Sequence, residues 1–384
     1  MTELERRALL PDGLRDMLPP TAGFEADVIE RLIGHFAGLG YSRVKAPLVE
    51  FEEGLLSGAG AAMSGHIFRL MDPVSQRMMG VRADITPQIA RIASTRLKNE
   101  PRPLRLSYSG EVLRIRGTQL QPERQFAQVG VELIGRETAA ADAEVIVMAA
   151  EALTALGVVD FSIDLTIPTL VPALCDALGF SDEKRDELRA ALDRKDAEVV
   201  QRLDDEGQGL FGRLLSASGK AEQCIALLLE LDLPAAAGAE RDRVADVLRR
   251  VRAAAPSVDL TLDPVENRGF EYHTGVSFTI FPTGARGELG AGGRYISSVN
   301  GTAEAGTGFT LFLDTIMRVM PEIEAGRSIF LPLEVDADVA RKLRHDGWIT
   351  IRGLDIVDDA AAEARRQGCS HVSVAGEIRE VGKG

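Results

Sequence analysis

From Phe24 to Phe36 the apolar residues fall at Phe24, Val28, Ile29, Leu32, Ile33 and Phe36. Steps of three and four put them on one face of a helix over residues 22–39. Gly38 and Gly40 close that helix, and Pro11, Pro19 and Pro20 keep residues 1–20 loop-like. The period then shortens. Tyr41 to Val49 reads as a strand; His66 to Met71 and Arg77 to Arg82 read as a hairpin around Asp72-Pro73, and Leu104 to Ile115 and Gln125 to Ile134 as a second pair. Residues 138–156, rich in alanine and free of glycine and proline, predict a helix.

Over residues 168–255 the pattern is helical throughout, with dense charge. Runs such as Asp182-Glu183-Lys184-Arg185 are solvated helix faces. Strand texture returns over 257–283 and 288–295, followed by glycine-rich turns and an apolar helix from Phe309 to Met320. Strands on both sides of a helical block predict an α+β fold: one antiparallel sheet domain over residues 1–326 with a helical insertion at about 168–255. Residues 327–384 alternate strand (Ile329–Leu331, Trp348–Ile351, His371–Val374) with helix (336–346, 358–367), a small C-terminal α/β appendage.

Composition narrows the class. The 384 residues are 45% hydrophobic and 27% charged, ordinary for a globular protein, and no stretch is long and apolar enough to cross a membrane. The start lacks the apolar core of a signal peptide. Cys175, Cys224 and Cys369 stand far apart in no metal-binding spacing, which points to reduced thiols, a cytoplasmic setting and no metal. A net charge of −14 with 5% aromatics leans away from nucleic acid, because affinity for phosphate backbones rests on lysine and arginine.

The chemistry concentrates in four segments. Arg82-Ala83-Asp84-Ile85-Thr86-Pro87 follows a strand and opens a helix. In Gln125–Glu132 strict alternation puts Gln128 and Glu132 on one face. Arg268-Gly269-Phe270-Glu271-Tyr272-His273-Thr274-Gly275 and Gly290-Ala291-Gly292-Gly293-Arg294-Tyr295 add arginine, aromatics and glycines that allow close backbone approach. Carboxylates for an ammonium or imidazole, an arginine for a carboxylate and aromatic walls are what a zwitterionic amino acid requires. Taken singly, each is equally well a salt-bridged sheet residue or a turn glycine.

Together these segments resemble the histidyl-tRNA-synthetase-like class II family over about residues 10–325. Gly40–Glu50 is similar to motif 1, with Pro47 at the place of its dimer-interface proline; Gly110–Gly135 is similar to motif 2 with its Phe-x-Gln-x-Gly-x-Glu signature. Arg268–Gly275 and Gly292–Tyr295 resemble the two histidine-specific segments. The resemblance implies a class II aminoacyl-tRNA-synthetase-like antiparallel sheet core. It also implies an L-histidine site at Asp84, Thr86, Arg114, Gln128, Glu132, Arg268, Tyr272, His273 and Tyr295, with His273 in place of a tyrosine.

Departures from the pattern bear on function. Thr315 occupies the motif 3 position of the arginine that clamps the γ-phosphate, and Arg116 stands where motif 2 has a glutamate. Threonine cannot supply the bidentate phosphate contact. Residues 327–384 are also too few for the anticodon-binding domain of the synthetases. That combination resembles the regulatory subunits of ATP phosphoribosyltransferase. The resemblance implies a non-catalytic protein with no cofactor and no nucleic-acid partner. It implies a self-dimer through the class II core and a hetero-oligomer with the short-form catalytic subunit in the first step of histidine biosynthesis, whose activation and feedback inhibition by L-histidine it mediates. Two other classes stay open: a synthetase paralogue that still activates an amino acid, supported by the retained Arg114, and a nucleic-acid-binding or stress-sensing module. His345 and His371 read as ordinary residues of the appendage.

Overall fold

Helix α1 (Thr21–Gly38) buries Val28, Leu32, Ile33 and Phe36, the stripe that the spacing predicts. In the computed structural model it packs on a nine-stranded mixed sheet, and residues 9–118, 122–204, 209–266, 273–299, 302–321 and 326–382 are described. The chain divides into two compact units, Met1–Met320 and Pro321–Gly384.

In the first unit the chain runs β1 (Ser42–Arg43), β2 (Val49–Phe51), α2 (Glu52–Leu55), β3 (Phe68–Met71), β4 (Met78–Val81), α3 (Thr86–Thr95), β5 (Leu104–Leu113), β6 (Gln125–Ile134), α4 (Ala139–Ala155) and β7 (Phe161–Thr166). Short helices then fill 170–229, interrupted by the two-residue strand β8 (Gly219–Lys220), and a long helix covers Ala235–Ala254. The unit closes with β9 (Asp259–Asp263), β10 (His273–Pro282), β11 (Gly290–Val299), β12 (Thr302–Phe312) and a helix at Leu313–Val319. The large sheet has the order β1-β5-β6-β12-β11-β10-β7-β9-β8, antiparallel from β5 to β7; β2, β4 and β3 form a separate small sheet.

Alternation along β6 and β12 sends Val129, Val131, Leu133, Phe309 and Leu311 to one face, against α1 and α4, where Phe36 meets Phe309 edge-on at 5.7 Å. Thr138 caps α4, its Oγ1 accepting the Ala141 N–H at 3.3 Å. On the other face α3 covers a smaller cluster that includes Ile89, Leu106, Tyr108 and Phe312, and leaves the middle strands open.

Three elements differ from the expectation. Phe309 to Met320 is not one helix: β12 runs to Phe312, and the helix begins at Leu313. A short run that is apolar on both faces suits a central strand as well as a buried helix, and β12 is hydrogen-bonded on both sides, to β6 and β11. Tyr41 to Val49 is not one strand, because the chain leaves β5 after Arg43 and re-enters sheet structure at Val49 in the small sheet, with Pro47 between. The appendage has a fourth strand. Its sheet, β14-β13-β15-β16, comprises β13 (Ser328–Leu331), β14 (Ile349–Arg352), β15 (His371–Val374) and β16 (Glu377–Glu380), and every β16 residue is exposed, so no apolar alternation marked it.

One buried ion pair ties the middle of the large sheet to α4. Arg294 of β11 is fully buried and forks onto Asp142, Nη2 to Oδ1 at 2.7 Å and Nε to Oδ2 at 3.2 Å; Nη2 also donates to the Thr138 carbonyl at 2.8 Å. Gly275 on the neighbouring strand makes room for its stem, since a Cβ there would lie 2.7 Å from Arg294 Cδ. Removing one member of such a pair strands a charge away from water. Asp142→Ala should therefore cost about 3–5 kcal/mol of stability, while Asp142→Leu combined with Arg294→Met should recover most of it. Urea denaturation of the two variants checks this; equal losses in both would contradict it.

Candidate functional site

The open middle of the sheet is a pocket because several strand residues there have no side chain. Gln128, Gly130 and Glu132 share the inner face of β6. A Cβ on Gly130 would collide with the Tyr108 hydroxyl and the Phe309 carbonyl. Gly308 of β12 pairs with Glu132, and a Cβ on it would collide with Glu132 Oε2. Gly306 likewise lies under the ring of Tyr295, 2.8 Å from a built Cβ to Cζ. Glycine is tolerated in these strands because neighbouring side chains cross over it.

The resulting pocket spans about 490 Å³ of space between atoms, open mouth included. Asp84, Thr86, Arg114, Gln128, Glu132, His273 and Tyr295 all line it, together with Met63, Gly292, Gly293, Gly308 and Thr310. Arg268 and Tyr272 lie outside the described residues.

Polar groups gather at two ends. At one, the Ile85 N–H donates to Asp84 Oδ1 at 2.9 Å and to Gln128 Oε1 at 3.1 Å, which anchors the turn into α3. Arg114, just past β5, is held by Nε to the Ala83 carbonyl at 3.3 Å and by its guanidinium 5.0 Å above the Phe126 ring. Burial raises the pKa of Asp84; the Arg114 charge and hydrogen bonds from Gln128 and the Ile85 and Thr86 amides oppose the rise. A carboxylate and a guanidinium side by side suit an ammonium and a carboxylate carried on one carbon.

At the other end stand Glu132, Tyr295 and His273. The Tyr295 hydroxyl donates to Glu132 Oε2 at 3.0 Å. Burial pushes the Glu132 carboxyl up to about 8 despite hydrogen bonds from Tyr295 and Thr86, and nearby Asp84 adds to the rise. Burial lowers His273 to about 4, so its ring is neutral at neutral pH. Behind them Tyr108 is fixed by Thr310 Oγ1 at 2.7 Å and Thr86 Oγ1 at 3.4 Å. Sequence reading passed over Tyr108 and Thr310. The available signal was that Tyr108 lies opposite Gly130, an aromatic facing a glycine across two strands.

The surroundings of Thr315 are of another kind. Thr315 is buried, does not line the pocket, and accepts a hydrogen bond from Arg318 Nη2 at 3.0 Å. Beside it Asp314 accepts from Arg15 Nη2 at 3.4 Å, and its pKa is raised, mainly by burial. Burial, with Glu111 and Asp314 nearby, lifts Glu25 to about 6. Arg116 is exposed. Buried or half-buried carboxyls, at Asp314 and Glu25, stand in this neighbourhood, a poor setting for a polyphosphate.

A family model described as Histidyl-tRNA synthetase matches residues 13–316. A protein of Paramagnetospirillum magneticum named ATP phosphoribosyltransferase regulatory subunit is 55% identical over 97% of both chains. A protein of the same name from Rhodospirillum centenum is 53% identical over 97% of this chain and 96% of its own. The chain belongs to the ATP phosphoribosyltransferase regulatory subunit family. Among solved structures, one described as an ATP phosphoribosyltransferase regulatory subunit/histidyl-tRNA synthetase from Bacillus halodurans C superposes with a TM-score of 0.80 at 25% identity, over 93% of this chain and 96% of that one. The histidyl-tRNA synthetase of Nostoc sp. PCC 7120 shares the fold, with a TM-score of 0.79 at 18% identity over 97% and 96% of the two chains. The family thus keeps the class II architecture around the pocket described above.

The raised Glu132 pKa has a measurable consequence. Between its ordinary 4.5 and about 8, the folded chain keeps a proton that the unfolded chain has released. Its contribution to stability is therefore complete below that window and is lost as pH rises through it. Glu132→Gln cannot ionise, so its stability relative to wild type should climb between about pH 5 and about pH 8. Urea midpoints across that range test this, and a pH-independent difference would contradict it.

Proposed function

We propose that the protein is a non-catalytic regulatory subunit that binds L-histidine in this pocket and passes its occupancy to a short-form ATP phosphoribosyltransferase catalytic subunit. The observation that carries this reading is the contrast between two regions of one sheet. The amino-acid pocket has both polar ends assembled, whereas the place of the synthetases' phosphate clamp holds a buried threonine, hydrogen-bonded by Arg318 and next to the buried Asp314. In this reading Asp84, Gln128 and Arg114 hold the α-ammonium and carboxylate, and Glu132, Tyr295 and His273 hold the imidazole. The names of the full-length relatives supply the partner. Self-association through the class II core and a cytoplasmic setting belong to the same proposal.

A pocket without chemistry matters only through a partner, so histidine must favour one conformation of the complex over another. The expected coupling is about 1–3 kcal/mol, or about five- to 150-fold in affinity. Mixing the chain with the short-form catalytic subunit of the same organism should give a hetero-oligomer by light scattering and histidine-sensitive formation of phosphoribosyl-ATP. Glu132→Ala should weaken histidine binding at least about thirtyfold, the low end of the cost of stranding a buried polar partner. A complex indifferent to histidine, or unchanged affinity in Glu132→Ala, would defeat the reading.

The retained Arg114 favours one other reading, a synthetase paralogue that still activates an amino acid. Histidine-dependent exchange of pyrophosphate into ATP separates the two. The regulatory reading expects none above background, and turnover of ~1 per second or faster would favour the paralogue.

A further inference from the structure

The appendage sheet ends on an uncovered strand. β16 pairs with β15 on one side, closes the sheet order, and has all of its residues exposed. Edge strands are ordinarily guarded by lysine, proline, a bulge or a covering element. β16 contains no lysine or proline, and its register with β15 runs without a bulge. Its charges do not repel one another either: Arg379 Nη2 donates to Glu377 Oε2 at 2.9 Å on one face. Ile378, on the other face, is 46% exposed.

The turn decides which main-chain groups face outward. Ala375 and Gly376 separate Val374 from Glu377, with φ of 52° and 84°. Positive φ at both centres marks a tight hairpin turn whose flanking residues form a hydrogen-bonded pair. Bonded and non-bonded pairs then alternate along an antiparallel ladder. Val374–Glu377 and Val372–Arg379 are therefore bonded pairs, and the Val381 N–H donating to the Ser370 carbonyl at 2.9 Å continues the series. Ile378 and Glu380 fall between them and turn their N–H and C=O groups away from β15. A second β16 laid antiparallel along this edge must oppose outward-facing residues to each other, so a two-fold axis passes through a residue and not between two. At Glu377, Arg379 or Glu380 the axis sets a charged side chain against its own copy, which is unfavourable. At Ile378 it sets isoleucine against isoleucine and Glu377 against Arg379 on both sides.

We propose that β16 pairs antiparallel with β16 of a second copy of this chain, Ile378 against Ile378 and Glu377 against Arg379, joining two appendage sheets edge to edge. The occupant is a second copy because this order of charges complements itself, and the contact presents the same patch from both chains. So short a strand makes a small interface, which acts where the chain is locally concentrated. The contact lies wholly within Pro321–Gly384 and is independent of what the pocket binds.

The test uses the full-length chain carrying Glu377→Cys or Arg379→Cys; the native Cys175, Cys224 and Cys369 are buried. Residues opposed in a non-hydrogen-bonded pair bring their Cα atoms to about 4.5 Å, within reach of a disulfide. Oxidation of an equimolar mixture should join position 377 of one copy to 379 of the other, with one Glu377–Arg379 contact retained, and either variant alone should give far less. Without cysteines, Glu377→Arg should weaken concentration-dependent association about tenfold or more by light scattering. Glu377→Arg combined with Arg379→Glu should restore it. No such disulfide in the mixture, or equal yields from the mixture and the single variants, overturns the pairing. A Glu377→Arg chain that associates as wild type does, or a double variant as weak as the single, overturns the register.

Discussion

The constraint on which the site depends is that the side chains of Tyr108, Glu132 and Tyr295 cross the sheet face over Gly130, Gly308 and Gly306, which present none of their own. Glu132 lies across Gly308, Tyr295 across Gly306, and the Tyr108 ring against Gly130. Any larger residue at these points would push a buried polar group out of place in an interior that does not yield. Ladder register, burial of Glu132 and the shape of the pocket are therefore one fact seen at three scales. The Arg294–Asp142 pair on the reverse of β11 serves the same end, fixing to α4 the strand that carries Tyr295.

Electrostatics then divide the molecule's polar interior into two kinds of place. The pocket sets Asp84 against Arg114 and gives Glu132 the neutral donors Tyr295 and Thr86. Near Thr315 burial raises the affinity of Glu25, Glu111 and Asp314 for protons; Asp314 adds to the rise at the first two and Glu123 at Asp314, with Arg15, Arg82 and Arg318 as partial offsets. These places lie on one continuous scaffold. The two places differ in their side chains and not in their fold.

Much of this was legible in the sequence where period and face coincide. The α1 stripe, the β5–β6 pair and the common face of Gln128 and Glu132 follow from spacing alone. β12 did not, because its Gly306 and Gly308 look like turn signals and its end, Leu311-Phe312, runs on without a polar break into Leu313 of the following helix. Asp142 was invisible for a related reason: a single acid in an alanine-rich helix resembles a solvent-facing residue until the strand that carries Arg294 is laid beside it. The pocket residues came from the resemblance more than from physics. Asp84, Arg114 and His273 are far apart in the chain, and only sheet order brings them together.

Thr315 carries a consequence for the history of such a chain. The residue is sealed in the interior and hydrogen-bonded by Arg318 from the next turn of its helix, with Asp314 beside it. An arginine at that position would require room for a long side chain where the threonine is already fully buried. A one-residue return to the synthetase pattern at this position is thus opposed by packing, whatever the codon allows.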